Sequence, residues 1–273
     1  MNAPIDSKEQ GYDSFYKEFD SPLMCQLRVE AYGEDIGQHS WVTAEDLRGD
    51  AARLRLSPSS RFLDLGCGPC GPLTFILRTV GCHGTGTELS PAALEAGRAR
   101  AEKLGVDHLL QLREADLNQP IPLPDASFDA AMSLDVVLHL RDRAAFFRDV
   151  ARVLTPAGRF LFTDAGVVTG SVSSEEISLR SVHGYTQFAA PGFNERALED
   201  AGFRLLATED RTAGALRNAT GRLEARLAHR EELETLEGAG EFGRQQRYIE
   251  TVIAISRRGA ISRTMYLAES RGT

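Results

Sequence analysis

The chain lacks any apolar run of about 18 residues, the length a helix needs to cross a bilayer, so no membrane partner is expected. Residues 1–10 have no apolar core, which speaks against a secretory signal. Positive charge is in short supply. The 31 Lys and Arg face 39 Asp and Glu, for a net charge of -8, whereas a nucleic-acid partner needs a clustered basic footprint. One local basic group, Arg98, Arg100 and Lys103, alternates with Glu95 and Glu102 in the pattern of a solvated helix face. Cysteine is scarce as well. Cys67 and Cys70 have C-x-x-C spacing, but a structural zinc takes four ligands and no second pair follows, so no metal is expected. The two thiols read as small residues filling a glycine-rich loop, in keeping with a reducing cytoplasm. No internal repeat is seen.

What is present is ordinary globular composition, 42% hydrophobic and 26% charged over 273 residues, enough for one large domain with a sizeable core. From Arg61 onward short β-like runs alternate with longer helix-like ones, the pattern of a parallel sheet with crossover helices. The spacing predicts strands at 62–65, 84–88, 109–114, 128–133 and 159–163. Helices are predicted at 73–80, 91–104 and 141–154, the second capped by Ser90 with Pro91 at its first position. A loop at 166–174 leaves the fifth strand. A helix at 194–201, closed by Gly202, precedes a strand at 203–208 and a polar, helix-prone insertion of about 213–258, broken near Gly238 and Gly240. A last strand covers 262–268. The insertion is too long for a turn and is expected to cover one side of the site. Its charges, with Arg217, Arg222, Arg226, His229 and Arg230 against Glu224, Glu231 and Glu232, read as solvated i,i+4 pairs. The first 50 residues hold Tyr12, Phe15, Tyr16, Phe19, Tyr32 and Trp41, an aromatic load foreign to a floppy tail.

The informative motif is Asp64-Leu65-Gly66-Cys67-Gly68-Pro69-Cys70-Gly71, between a strand and a helix. Glycines there let backbone amides approach a ligand, and the following helix start adds partial positive charge. Gly66, Gly68 and Gly71 also satisfy G-x-G-x-x-G, the dinucleotide fingerprint, and Glu88 is placed for ribose hydroxyls in either case. Two residues weigh against a pyrophosphate. Asp64 would repel it but can hold the ammonium of an amino-acid ligand, and Pro69 removes a backbone N–H from the loop. A nicotinamide-dependent oxidoreductase stays the alternative on these residues, as does a catalytically silent cofactor binder.

Phe62-Leu63-Asp64-Leu65-Gly66-Cys67-Gly68-Pro69 resembles the first motif of class I S-adenosylmethionine-dependent methyltransferases. Gly86-Thr87-Glu88-Leu89-Ser90 resembles their second-strand acidic motif. Ala115-Asp116-Leu117, followed by Ile121-Pro122-Leu123-Pro124-Asp125-Ala126-Ser127-Phe128-Asp129, is similar to the next segment, and Ser133-Leu134-Asp135-Val136-Val137-Leu138-His139-Leu140 to the strip bordering the methyl group. The resemblance covers residues 60–165. It implies a doubly wound, seven-stranded, mostly parallel α/β sheet with an N-terminal helical lid over 1–50, a cofactor-binding domain over 51–273, and the helical insertion before the last strand. It also implies S-adenosylmethionine as cofactor and S-adenosylhomocysteine as product. Asp64, Gly66, Cys67, Gly68, Glu88, Leu89, Asp116, Leu117, Ser133 and Gln38 are the cofactor-site candidates, with Glu88 on the ribose and Asp116 on the adenine amine. Asp129 reads as structural.

Methyl transfer from a sulfonium is an in-line displacement, so the protein aligns the reactants and excludes water. A hydroxyl or carbon acceptor needs a base, and His139 is the candidate; its competing role is a packed histidine at a helix start. Tyr32-Gly33-Glu34-Asp35-Ile36-Gly37-Gln38-His39-Ser40-Trp41 resembles the N-terminal stretch of small-molecule members, including sarcosine/dimethylglycine and phosphoethanolamine N-methyltransferases. There it folds over the cofactor. On that likeness Tyr16 and Trp41 would meet the small-molecule acceptor, with Tyr12 nearby, and Tyr185 would line its pocket beside Phe188. Where those relatives have His and an aromatic after Glu-Asp-Ile, this chain has Gly37 and Gln38, which leaves the acceptor open among amine, hydroxyl and carbon.

Overall fold

The structure, a computed structural model, describes residues 16, 18–182 and 184–272. Tyr12, one of the aromatics expected near the acceptor, lies outside them. Two helices, α1 (Pro22–Tyr32) and α2 (Ala44–Arg53), precede the first strand. The alternation then runs β1 (Arg61–Leu65), α3 (Gly71–Val80), β2 (His83–Glu88), α4 (Pro91–Leu104), β3 (Leu110–Glu114), β4 (Phe128–Leu134), α5 (Arg143–Val153) and β5 (Leu154–Val168). It ends with α6 (Ser174–Arg180), α7 (Phe193–Asp200), β6 (Phe203–Asp210), α8 (Thr212–Ala228), α9 (Arg230–Glu237), α10 (Ala239–Arg257) and β7 (Ile261–Ser270).

The seven strands form one sheet in the order β3-β2-β1-β4-β5-β7-β6, with β7 antiparallel to both of its neighbours. Alternate side chains leave opposite faces of a strand, and here both faces are buried. Phe62, Met132 and Leu161 pack toward α3 and α4, joined by Leu47 of α2. Leu63, Leu65, Phe160, Phe162 and Tyr266 pack toward α5 and α7, where Phe162 stacks on Tyr266 at 4.7 Å. The order in which successive strands are laid down reverses between β1 and β4, which are themselves parallel. In open α/β sheets a ligand crevice opens at that point, beyond the carboxyl ends of the strands.

Two expectations need correction. The region after the fifth strand is more ordered than a loop: β5 continues to Val168, and α6 follows. The signal for α6 was present, since Ser173 and Glu176 form a reciprocal capping box. The insertion holds three helices, because the chain breaks at His229 as well as at the expected Gly238. It does not stand apart from the N-terminal segment. Leu27 of α1 shares an apolar cluster with Ala225, Leu233 and Phe242, and Gly221 of α8 lies so close to α1 that a Cβ there would sit 2.5 Å from the Ala31 carbonyl. Cover and insertion are one helical layer.

Candidate active site

The glycine loop leaves β1 by a turn that only small residues allow. The amides of Gly66 and Cys67 both donate to the Thr87 carbonyl of β2, at 2.9 and 3.0 Å. Gly66 and Gly68 take φ of 78° and 52°, the left-handed region glycine enters without strain. A Cβ on Gly66 would stand 2.6 Å from a Val136 methyl, and one on Gly71 would stand 1.9 Å from the Gly37 carbonyl oxygen. The loop is therefore pressed between the exit of β4 and the N-terminal segment. Cys67 and Cys70 face each other as free buried thiols, 3.5 Å apart. The hydrogen bond from Cys70, together with burial, pushes the Cys67 thiol well above its ordinary range.

Carboxylates gather at the strand ends. Glu88 closes β2, and its oxygens accept the amides of Gly68 at 3.0 Å, Leu89 at 2.9 Å and Ser90 at 3.0 Å. The first and second motifs are thereby joined through one side chain. Asp64 is buried at 2% exposure, and burial, then the nearby Glu88 charge, push its carboxyl up to about 8. Among the described residues no side chain or amide donates to it. Asp116 follows β3; one carboxylate oxygen accepts the Asn118 backbone and side-chain amides, both at 2.9 Å, which fixes the turn after the strand. Leu89, 42% exposed, is an uncovered leucine beside Glu88, and half-buried Leu117 follows Asp116.

Two expected cofactor side chains are occupied elsewhere. Ser133, wholly buried, donates its hydroxyl to the Leu65 carbonyl at 2.9 Å and so ties the ends of β4 and β1. Gln38 accepts the Ile36 amide at 3.0 Å and donates to the Glu34 carbonyl at 3.1 Å, which spends both ends of its amide on its own turn. The solvated reading of α4 also fails for Arg100, which pairs with Asp20 and lies over Gly37, a position where only glycine leaves room for the guanidinium. In the insertion Arg226 is buried on Glu237 rather than solvated, while Arg230 and Glu234 form an i,i+4 pair at 2.8 Å. Asp129 pairs with Arg61 at 2.8 Å, the structural role expected of it.

The residues expected at an acceptor come from the exit of β4, the segment after α6 and the N-terminal segment. His139 sits in a short turn after β4, and its Nδ1 lies 2.9 Å from the Tyr185 carbonyl. A carbonyl only accepts, so Nδ1 carries the proton and neutral His139 keeps its lone pair on Nε2. Tyr185 itself is 39% exposed, with Arg141 over its ring. Tyr16 is buried against Phe19 and His39, and its hydroxyl lies nearest the position a Gly68 Cβ would take, at 3.6 Å. Trp41 is buried too, with the Arg222 guanidinium 4.9 Å above its ring and its carbonyl accepting from Asn218 of α8.

Sequence reasoning missed Asp135 as a site residue. It has φ of 58°, and its carboxylate accepts from Trp41 N–H at 3.1 Å, the Thr163 hydroxyl at 2.8 Å and Arg263 Nε at 2.9 Å. Arg263 and these hydrogen bonds hold the Asp135 carboxyl below its ordinary range against the opposing effect of burial, the largest single influence. One side chain thus links β4, β5, β7 and the N-terminal segment. Its partners are 28 to 128 residues away, a separation that local pattern cannot reveal.

The methyltransferase domain family matches residues 63–162, the stretch from β1 to β5. The chain is 31% identical over 217 residues to a sarcosine/dimethylglycine N-methyltransferase of Halorhodospira halochloris, covering 73% of this chain and 74% of that one. It is 32% identical over 179 residues to a glycine/sarcosine/dimethylglycine N-methyltransferase of Actinopolyspora halophila, covering 65% of this chain but only 31% of that longer protein. Among solved structures, a cyclopropane synthase of Mycobacterium tuberculosis superimposes with a TM-score of 0.81 at 16% identity, over 98% of this chain and 100% of the other, a likeness of fold alone.

Proposed function

The chain belongs to the S-adenosylmethionine-dependent methyltransferase family, and from that premise we propose that it transfers a methyl group to a small-molecule acceptor lodged between the carboxyl ends of β1 and β4 and the helical layer. The observation that carries this reading is the Glu88 carboxylate bonded to the Gly68 amide, with Asp64 buried beside it and no donor of the described residues on its oxygens. A buried carboxylate without a donor is costly. A ligand that brings an ammonium group would supply what is missing, and a pyrophosphate would make matters worse. The residues therefore fit an adenosyl amino acid rather than a dinucleotide.

S-adenosylmethionine supplies a methyl group activated on sulfur. Asp64 would hold its ammonium, Glu88 its ribose, and Asp116, Leu89 and Leu117 its adenine, with the backbone of Gly66, Cys67 and Gly68 leaving room for its amino-acid end. Exposed Leu89 gains an apolar partner in that arrangement. Ser133 serves the site by fixing the two strand ends rather than by touching the ligand, and Gln38 by shaping the turn that crosses the loop. Tyr16, Trp41 and the segment between them shut water out from above. His139, with its tautomer set by the Tyr185 carbonyl, takes the proton of the acceptor at Nε2. The chemistry is thus positioning, desolvation and one proton transfer.

Calorimetric titration with S-adenosylhomocysteine and with NAD tests the cofactor half: the first binds with a single site and the second does not. Binding of NAD in place of S-adenosylhomocysteine would refute it. Methyl-labelled cofactor incubated with amine, hydroxyl and carbon acceptors tests the transfer.

A further inference from the structure

Arg143 opens α5 with its side chain wholly buried, and its partner Asp164 on β5, 2.6 Å away, is wholly buried as well. Such a pair adds little net stability over apolar side chains of the same volume. What it supplies is direction, because a guanidinium is a rigid planar fork. Nη1 donates to Asp164 and, at 3.0 Å, to the Asn194 side chain of α7, while Nη2 donates to the Gln187 carbonyl. The carboxylate is filled in turn: one oxygen accepts the Gly166 amide at 2.8 Å and the other the Asn194 side-chain amide at 2.9 Å. One nitrogen of the fork thus serves side chains, and the other serves a stretch of backbone.

That backbone is the one that reaches His139. Between α6 and α7, groups of alternate residues find partners on the β4 exit and on β5. The Tyr185 carbonyl accepts from His139 Nδ1 at 2.9 Å, the Gln187 amide donates to the Leu138 carbonyl at 2.7 Å, and the Ala189 amide donates to the Gly166 carbonyl at 2.9 Å. The segment joins the sheet by an isolated bridge, Ala189 to Val167, so no ladder sets its register. In an extended chain every second residue faces the same way, and a slip of one residue would turn the Tyr185 carbonyl from the imidazole. The parts meet closely. A Cβ on Gly166 would stand 3.2 Å from the Asp164 carboxylate, 3.5 Å from Leu138 Cβ and 3.6 Å from the Gln187 carbonyl oxygen.

We infer that Arg143 is a positioning residue for proton transfer: by holding the Gln187 carbonyl it keeps the Tyr185 carbonyl on His139 Nδ1, and so leaves Nε2 to take the proton of the acceptor. This rests on His139 as the base in the reading above. Arg143 acts only through the backbone of Gln187 and Tyr185. A lysine would keep a charge opposite Asp164 but has no second nitrogen for Gln187.

The test reads the tautomer of His139 by nitrogen–proton NMR on protein carrying isotope-labelled histidine, its signals being those missing from His139→Ala. The unaltered protein gives the Nδ1–H form. Arg143→Lys lowers the ratio of Nδ1–H to Nε2–H by about 3- to 10-fold, the equivalent of one hydrogen bond. Asn194→Ala, which removes another partner of the same fork, lowers Tm but leaves the ratio unchanged. An Nε2–H form in the unaltered protein, an unchanged ratio in a folded Arg143→Lys, or an equal shift in Asn194→Ala overturns the proposal. Should Arg143→Lys fail to fold, Arg143→Met combined with Asp164→Leu removes both charges together and carries the same expectation, and an unchanged ratio there overturns it. Calorimetry with S-adenosylhomocysteine on the same samples keeps the two readings apart. Failure of the unaltered protein to bind it condemns the methyltransferase reading, whereas the spectra, which need no ligand, decide the role of Arg143.

Discussion

Asp64 makes the conflict between stability and binding measurable. In the ligand-free protein its carboxyl holds a proton up to about pH 8, while in the unfolded chain it ionises near the ordinary value of about 3.9. Between those limits unfolding releases a proton, so stability falls as pH rises. From pH 5 to pH 7.5 this one residue should remove about 3 kcal/mol, from 1.36 kcal/mol per pK unit with the native group still largely protonated. Asp64→Asn does not titrate. Its own buried amide has a cost, but that cost is the same at both pH values. The difference in stability between Asp64→Asn and the unaltered protein should therefore move in favour of the variant by about 3 kcal/mol over this range, on the order of 6 to 10 °C in Tm. The assay is thermal unfolding of both proteins, free of ligand, at pH 5 and pH 7.5. In parallel, the variant should lose affinity for S-adenosylhomocysteine by about 100-fold or more, since the ammonium loses its counter-charge. A difference in Tm that stays constant with pH, or a variant that binds as tightly as the parent, would refute the assignment of Asp64.

Other outcomes follow from the same geometry. His139→Ala should lower kcat on a hydroxyl or carbon acceptor by about 100-fold or more and remove the acidic limb of its pH profile, leaving cofactor affinity intact; an unchanged profile excludes the general base. Asp135→Asn leaves Arg263 buried without its counter-charge, and denaturant unfolding should register a loss of about 3 to 5 kcal/mol. Gly71→Ala places a methyl on the Gly37 carbonyl, so the segment crossing the loop must lift; limited proteolysis near residues 33–40 should accelerate while the sheet stays folded.

The sheet and the cofactor motifs were legible because their signals are local. Period-two burial, Ser90 with Pro91 ahead of α4, and glycines at 66 and 68 each act through a few neighbouring residues, and the resemblance over residues 60–165 followed them in order. The helices of the cover were legible only in part: a capping box at Ser173 was overlooked, and the break at His229 has no glycine or proline to announce it. The positions of Glu88 at the end of β2 and Asp116 after β3 were legible, because topology sends strand ends to the crevice. Ser133 and Gln38, both expected at the cofactor, spend their polar groups on the Leu65 carbonyl and on the Ile36–Glu34 turn, contacts that no local pattern announces.

The amino-acid sequence alone determined the order of strands and helices, the glycine turn after β1 and the carboxylates at the strand ends, since backbone conformation and burial period are properties of short stretches. Only the tertiary structure decided how distant charges pair. It put Asp135 on Arg263, Asp50 on Arg211 and Asp164 on Arg143. Those pairings depend on low dielectric and on distances set by packing across up to 161 residues of chain.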